Sequence, residues 1–303
     1  AILAILASTC MARNVLTTGE TLHAGEHLDI GQYTLSMRYD CNLVLYENSN
    51  PLWASNTQYE ENVVCQVVLR KDGILVVSYV GSEADYPVWW SSNDRLDSGN
   101  YALVLHEDGN LVIYGTDIWS TGTAKISAGG PVDGGSAIGP ATGNQNVTAI
   151  PNTWRSVLKS GEQLSSEQFL NTQQFKLIAQ EDCNLVLYEY NIVIWASNTV
   201  VGAHAGCRAA MQVDGNFVIY FNLHAIWSSH TDRENGNYVL VLQQDGNVVI
   251  YGPDVWSTGT HVKSGGGRAV VTAMNGTVGG RGSVNQKHVT AIRKVGTSAL
   301  LEF

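Results

Sequence analysis

The chain has 303 residues, 44% hydrophobic and 15% charged, with a formal net charge of −10 at pH 7. That length suits two domains, and the acidic balance argues against nucleic acid or an anionic membrane as partner, because phosphate recognition needs surplus Lys and Arg. No stretch reaches the roughly 18–20 apolar residues needed to cross a bilayer, so no membrane insertion is expected.

The first dozen residues, "AILAILASTCMA", are apolar and end in small side chains. They read as the back half of a secretory signal peptide cut near Ala12, with a buried N-terminal strand as the alternative. This predicts the secretory pathway, with a vacuolar or extracellular destination. Beyond them the chain repeats itself. "DCNLVLYENSNPLWASNT" at 40–57 matches "DCNLVLYEYNIVIWASNT" at 182–199, and 99–123 matches 236–260 in the same way. The division predicted is a signal remnant 1–12, a first domain 13–123, a Gly-rich linker 124–151 open to cleavage, a second domain 152–260 and a propeptide-like tail 261–303. Asn146 and Asn275 each begin an Asn-x-Thr sequon, within the linker and the tail.

Each repeat holds three copies of a smaller unit, marked by Asp40, Asp72 and Asp108, then Asp182, Asp214 and Asp245. A Trp follows each, at Trp53, Trp90, Trp119, Trp195, Trp227 and Trp256. Units too small to bury their own apolar faces should pack around a shared axis, with these indoles in a common core. With 31 Gly, eight Trp and little helical periodicity, the class is all-β. Cys10 falls in the signal segment. The other four cysteines allow three pairings, and their matched spacing favours Cys41–Cys65 and Cys183–Cys207. One disulfide per domain fits an oxidising compartment. No Cys-x-x-Cys or His cluster points to a metal, and no cofactor is expected.

The second repeat carries Gln-x-Asp-x-Asn-x-Val-x-Tyr three times. The residues are Gln180, Asp182, Asn184, Val186 and Tyr188; Gln212, Asp214, Asn216, Val218 and Tyr220; and Gln243, Asp245, Asn247, Val249 and Tyr251. Asp-Gly-Asn is a hairpin signal. The turn brings Gln180 opposite Val186 or Tyr188, with Leu185 and Leu187 facing the core and Val186 and Tyr188 facing outward. The turn itself requires neither the Gln before Asp nor the Tyr after Asn. Together the side chains offer a carboxylate, two amides, a phenol and an apolar patch, which suits the hydroxyls and C–H faces of a neutral sugar. No pair of carboxylates stands at one centre as glycoside hydrolysis requires, and no nucleophile motif occurs. A non-enzymatic binding protein is therefore expected.

The tripled motif, one disulfide per domain and the "YGTDIWSTGT"-type ending resemble the monocot mannose-binding lectins of the snowdrop-agglutinin type, across both repeats. The resemblance implies two tandem β-prism II domains, each of three four-stranded antiparallel sheets around a pseudo-threefold axis. It also implies metal-free sites for terminal α-mannose on high-mannose glycans and glycoproteins. In such sites Asp and Asn hold the axial 2-hydroxyl, Gln the 3-hydroxyl and Tyr the 4-hydroxyl, while Val packs on the ring carbons. Dimers or tetramers formed by exchange of C-terminal strands, here 117–123 and 254–260, are implied as well, as is a role in defence or storage. The first repeat departs from the pattern. Arg38 and His106 stand where Gln is expected, beside Asp40, Asn42, Val44 and Tyr46, and beside Asp108, Asn110, Val112 and Tyr114. These two sites are expected to be weak or altered, with Arg38 admitting complex or acidic glycans as one possibility. The middle copy, with Arg70, Ile74 and Ser78, is expected to be dead for mannose. The alternative for the whole chain is a storage protein with little functional sugar binding.

Overall fold

A computed structural model describes residues 13–59, 63–82, 84–92, 94, 96–124, 155–201 and 206–260. The signal segment, the linker beyond Ala124, the tail and both sequons lie outside the described residues. Those described form strands without a helix, arranged as six four-stranded antiparallel sheets. This is the all-β, β-prism II architecture that the resemblance implies.

Alternation builds each sheet. In the hairpin of Phe175–Ala179 and Leu185–Glu189, Leu177, Leu185 and Leu187 enter one apolar core. Val186 lies on the other face, as its parity requires, yet is fully buried there. In the next hairpin, Cys207–Met211 with Phe217–Phe221, the turn closes with the Gly215 N–H donating to the Gln212 carbonyl at 3.2 Å and the Gln212 N–H to the Asn216 carbonyl at 2.9 Å. Gly215 has φ +84°, the left-handed conformation glycine tolerates. In the first copy of each repeat a cysteine takes this position, Cys41 at φ 67° and Cys183 at φ 68°. Both form the expected disulfides, Cys41–Cys65 and Cys183–Cys207.

Three sheets enclose each core, and three indoles meet at its centre. In the second prism these are Trp119, Trp195 and Trp227, with ring centroids 5.9–6.2 Å apart and edge-to-face. In the first they are Trp53, Trp89 and Trp256, at 5.4–6.3 Å. The expectation of Trp90 in the core is thus corrected to Trp89. Trp90 is 43% exposed and pairs with Val76 on the outer face. Parity decides between neighbours, since only one residue of a Trp-Trp pair in a strand can face the core.

Trp119 and Trp256 have changed places. The strand Asp117–Ser120 of the first repeat completes a sheet with Val157–Lys159, Val239–Leu242 and Val248–Tyr251. Reciprocally, Asp254–Ser257 completes the sheet of Val15–Thr17, Ala102–Leu105 and Leu111–Tyr114. The strand exchange expected between subunits therefore occurs within one chain, between its own two repeats. The chains cross at Gly115, whose N–H donates to the Pro253 carbonyl at 2.8 Å. A Cβ on Gly115 would lie 2.9 Å from that same oxygen, so the crossing needs glycine.

The two sheets that share strands also pack face to face. Val104, Val112 and Tyr114 meet Val239, Val241, Val249 and Tyr251 in a third apolar cluster. This explains why 102–105 and 239–242 are apolar at both parities, with all four positions buried in each. A strand covered on both faces gains nothing from polar alternation.

Candidate functional site

Every motif hairpin in the second prism assembles its polar side chains in the same way. The Asp Oδ1 accepts the N–H of the Asn two residues on, at 2.9 Å for Asp182, 3.0 Å for Asp214 and 2.9 Å for Asp245. This is an Asx turn, and it points each carboxylate to the hairpin's outer surface. The Gln Nε2 donates to the Tyr hydroxyl eight residues on, at 3.1 Å for Gln180–Tyr188, 2.8 Å for Gln212–Tyr220 and 2.5 Å for Gln243–Tyr251. The expected pairing of Gln180 with Val186 or Tyr188 directly across the hairpin needs correction. In register Val186 faces Ile178 and Tyr188 faces Lys176, while the Gln180 backbone bonds Asn184. The Gln side chain reaches its Tyr diagonally along the face, which its length permits.

A second layer fixes the Asn. Asn184 Oδ1 accepts from Ser197 Oγ at 3.2 Å and from the Thr199 N–H at 3.4 Å. Asn216 Oδ1 is held by Ser229 Oγ at 3.1 Å and the Thr231 N–H at 3.4 Å. With its oxygen engaged by donors, each Asn presents its Nδ2 donor to the surface beside an Asp acceptor. The sequence reading missed these Ser and Thr residues. Their signal is Trp-x-Ser/Thr-x-Thr, present as "WASNT", "WSSHT" and "WSTGT". The pattern does not separate Trp89 from Trp90, since Ser91 and Ser92 stand two places after them.

The three sites differ in setting. Tyr188 and Tyr220 are partly exposed, and the Arg208 guanidinium lies 4.5 Å from the Tyr220 ring centroid. The Gln243 site opens into a recess of about 170 Å³ between the prisms, where Arg13, Thr17 and Glu20 of the first repeat stand beside Gln243 and Asp245. There Tyr251 is 2% exposed. Burial raises the Asp245 carboxyl above its usual range, opposed by the Asn247 N–H and reinforced by Glu20. Burial likewise raises the Tyr251 phenol, with Asp117 adding to it.

The first prism shows three different outcomes. At the first copy Arg38 folds onto its own site. It pairs with Asp40 at 2.9 Å and donates from Nε to Asp40 Oδ1 at 3.1 Å and from a terminal nitrogen to the Tyr46 hydroxyl at 3.0 Å. Asn42 remains placed by Asp40, Ser55 and Thr57, and Val44 stays buried on the same face. At the middle copy Arg70 pairs with Asp72 at 2.8 Å, and the turn survives with Ile74 in place of Asn. At the third copy the His106 Nε2 lies 2.9 Å from the Tyr114 hydroxyl, reproducing the Gln–Tyr contact. Asp108 accepts the Asn110 N–H at 3.0 Å, and Val112 is buried beside them. Burial lowers His106 to about 4, with Lys159 of the second repeat lowering it further and Asp108 opposing. Burial also raises the Tyr114 phenol.

No family model matches the chain. A mannose-specific lectin 2 from Colocasia esculenta is 36% identical over 254 residues, 83% of this chain and 87% of that protein. A mannose-specific lectin from Allium sativum is 60% identical over 157 residues, 49% of this chain and 84% of its own. Among solved structures, the fetuin-binding agglutinin of Scilla campanulata, described as a two-domain lectin, superposes with a TM-score of 0.65 at 32% identity. That match covers 82% of this chain and 100% of the Scilla chain.

Proposed function

The chain belongs to the family of monocot mannose-specific lectins, and on that premise we propose that it binds terminal α-mannose on high-mannose glycans through the second prism. One observation carries the reading. Three hairpins there present the same Asp acceptor, Asn donor and Gln–Tyr pair, each held by bonds that leave polar atoms facing outward. A donor and an acceptor side by side can grip one hydroxyl from both sides, and the Gln–Tyr pair can take its neighbours. Such shallow sites bind singly with low affinity, so a branched glycan engaging several at once gains avidity.

In the first prism we propose that the Arg38 site is closed by its own ion pair and the Ile74 site is dead, while the His106 site remains open. A second reading, complex or acidic glycans at the first prism, has one observation in its favour. Lys159 stands with Tyr114 at the recess beside the His106 site, where an anionic sugar would meet a cation. The two disulfides support an oxidising compartment, vacuolar or extracellular. Since the C-terminal strands are already exchanged within the chain, dimers or tetramers of whole chains would form through other surfaces. Calorimetric titration with methyl α-mannoside and with a branched oligomannose tests the main reading. Heat with both, and tighter binding of the oligomannose, is expected; no heat with either leaves storage as the role.

A further inference from the structure

Of the five hairpins that keep the motif Asn, three take the residues that hold it from their own repeat and two do not. At Asn247 the holding residues come from the other repeat. Thr121 Oγ1 donates to Asn247 Oδ1 at 3.1 Å, and the Thr123 N–H donates to the same oxygen at 3.3 Å. Thr123 Oγ1 donates to the Gly246 carbonyl at 2.6 Å and lies 2.7 Å from Thr121 Oγ1. The Val248 N–H donates to Thr121 Oγ1 at 3.0 Å. The mirror arrangement places Thr258 Oγ1 3.2 Å from Asn110 Oδ1 and Thr260 Oγ1 against the Gly109 carbonyl.

We propose that Thr121 and Thr123 of the first repeat are positioning residues for the sugar site of Asp245 and Asn247 in the second, and that Thr258 and Thr260 serve the His106 site reciprocally. Proton counting gives the reason. A backbone N–H can only donate, so the Thr123 N–H requires an acceptor at the Asn247 amide. The Thr123 hydroxyl proton is directed at the Gly246 carbonyl and the Val248 N–H donates to the Thr121 oxygen, so the single Thr121 proton is shared between Thr123 Oγ1 at 2.7 Å and Asn247 Oδ1 at 3.1 Å. The Thr123 N–H and this shared proton both favour the amide oxygen on this side. Flipping Asn247 would set its NH2 against the Thr123 N–H, two donors with no acceptor between them. The Nδ2 donor is thus locked outward beside the Asp245 carboxylate. Ser229 and Thr231 do the same for Asn216 from within the second repeat. Each prism consequently has one site whose donor is oriented by a strand of the other repeat.

The inference rests on the mannoside reading, and the test separates the two. Backbone and side-chain amide signals of the full chain are followed by nuclear magnetic resonance during titration with methyl α-mannoside, in wild type, Thr121→Val and Thr121→Ser. Thr121→Val is expected to weaken binding reported by Gly246 and Asn247 at least tenfold, leave binding reported by Asn184 and Asn216 unchanged, and split or broaden the Asn247 NH2 signal before sugar is added. Thr121→Ser, which keeps the hydroxyl, is expected to restore both the binding at Gly246 and Asn247 and the Asn247 NH2 signal. Equal weakening at every site, or an unchanged Asn247 NH2 signal in Thr121→Val, overturns the proposal. A wild-type chain whose Gly246 and Asn247 ignore the mannoside refutes the binding reading instead, and the free Asn247 NH2 signal still decides the orientation. If Thr121→Val does not fold, Thr121→Ala, which removes the same hydroxyl with a smaller side chain, carries the same expectations.

Discussion

Arg38 closes on Asp40 with two nitrogens, one at 3.1 Å from Oδ1 and one at 2.9 Å from Oδ2, and reaches the Tyr46 hydroxyl at 3.0 Å. One side chain thereby occupies the acceptor and the phenol that the second-prism hairpins leave to a ligand. The surrounding bonds raise the Arg38 guanidinium further, Tyr46 first and Asp40 second, so it stays charged at any ordinary pH.

Arg38→Gln should therefore open this site, because Asn42 is already held by Ser55 and Thr57. The expected result is new mannoside binding at Asp40–Asn42, within about tenfold, or roughly 1.4 kcal/mol, of the Gln180 site. Residue-resolved titration checks it. Continued silence at Asn42 would mean that something other than the arginine blocks the site.

Asp182→Ala, Asp214→Ala and Asp245→Ala combined should reduce retention on mannose-agarose to what the single open His106 site can hold. Each single change should reduce it by less, since the remaining sites still act together. Each Asp also supports its turn by accepting the Asn N–H, so circular dichroism must accompany the column. Undiminished retention by a folded triple variant would place binding elsewhere.

His106 makes stability depend on pH. Its folded value is about 4, below the roughly 6.5 of an unfolded chain. Between those values the unfolded state binds more protons. The stabilisation is therefore complete above about pH 6.5 and lost as pH falls toward 4, by about 3 kcal/mol in all. Urea unfolding at pH 7, 5.5 and 4 measures it. In His106→Gln the fall should flatten by that amount, and if the slope is unchanged other groups are responsible.

Trp256→Ala should loosen the first prism although the residue belongs to the second repeat. The indole meets Trp53 and Trp89, each at 6.3 Å, and removing it should cost about 3 kcal/mol. Hydrogen exchange should rise first in Leu43–Glu47 and Leu75–Tyr79. A rise confined to 157–251 would contradict the exchange of strands.

Gln212, Asp214, Asn216 and Tyr220 stand out as a candidate site in the sequence, because their chemistry repeats at fixed spacing and the hairpin between them is local. The disulfides were legible for the same reason, as matched intervals within each repeat. Alternation puts Val186 on an outer face but cannot reveal that it is buried there, nor that Val249 meets the opposite prism. The holding of Asn247 by Thr121 joins residues far apart in the chain, in a sheet that neither repeat completes alone. Sequence by itself determined which side chains each hairpin carries, since turn chemistry and strand parity act over a few residues. Only the tertiary structure decided which strand closes each sheet, and so which prism orients each third site. "DIWSTGT" and "DVWSTGT" fit either sheet nearly equally well, and the choice rests on how the chain crosses itself at Gly115 and Pro253.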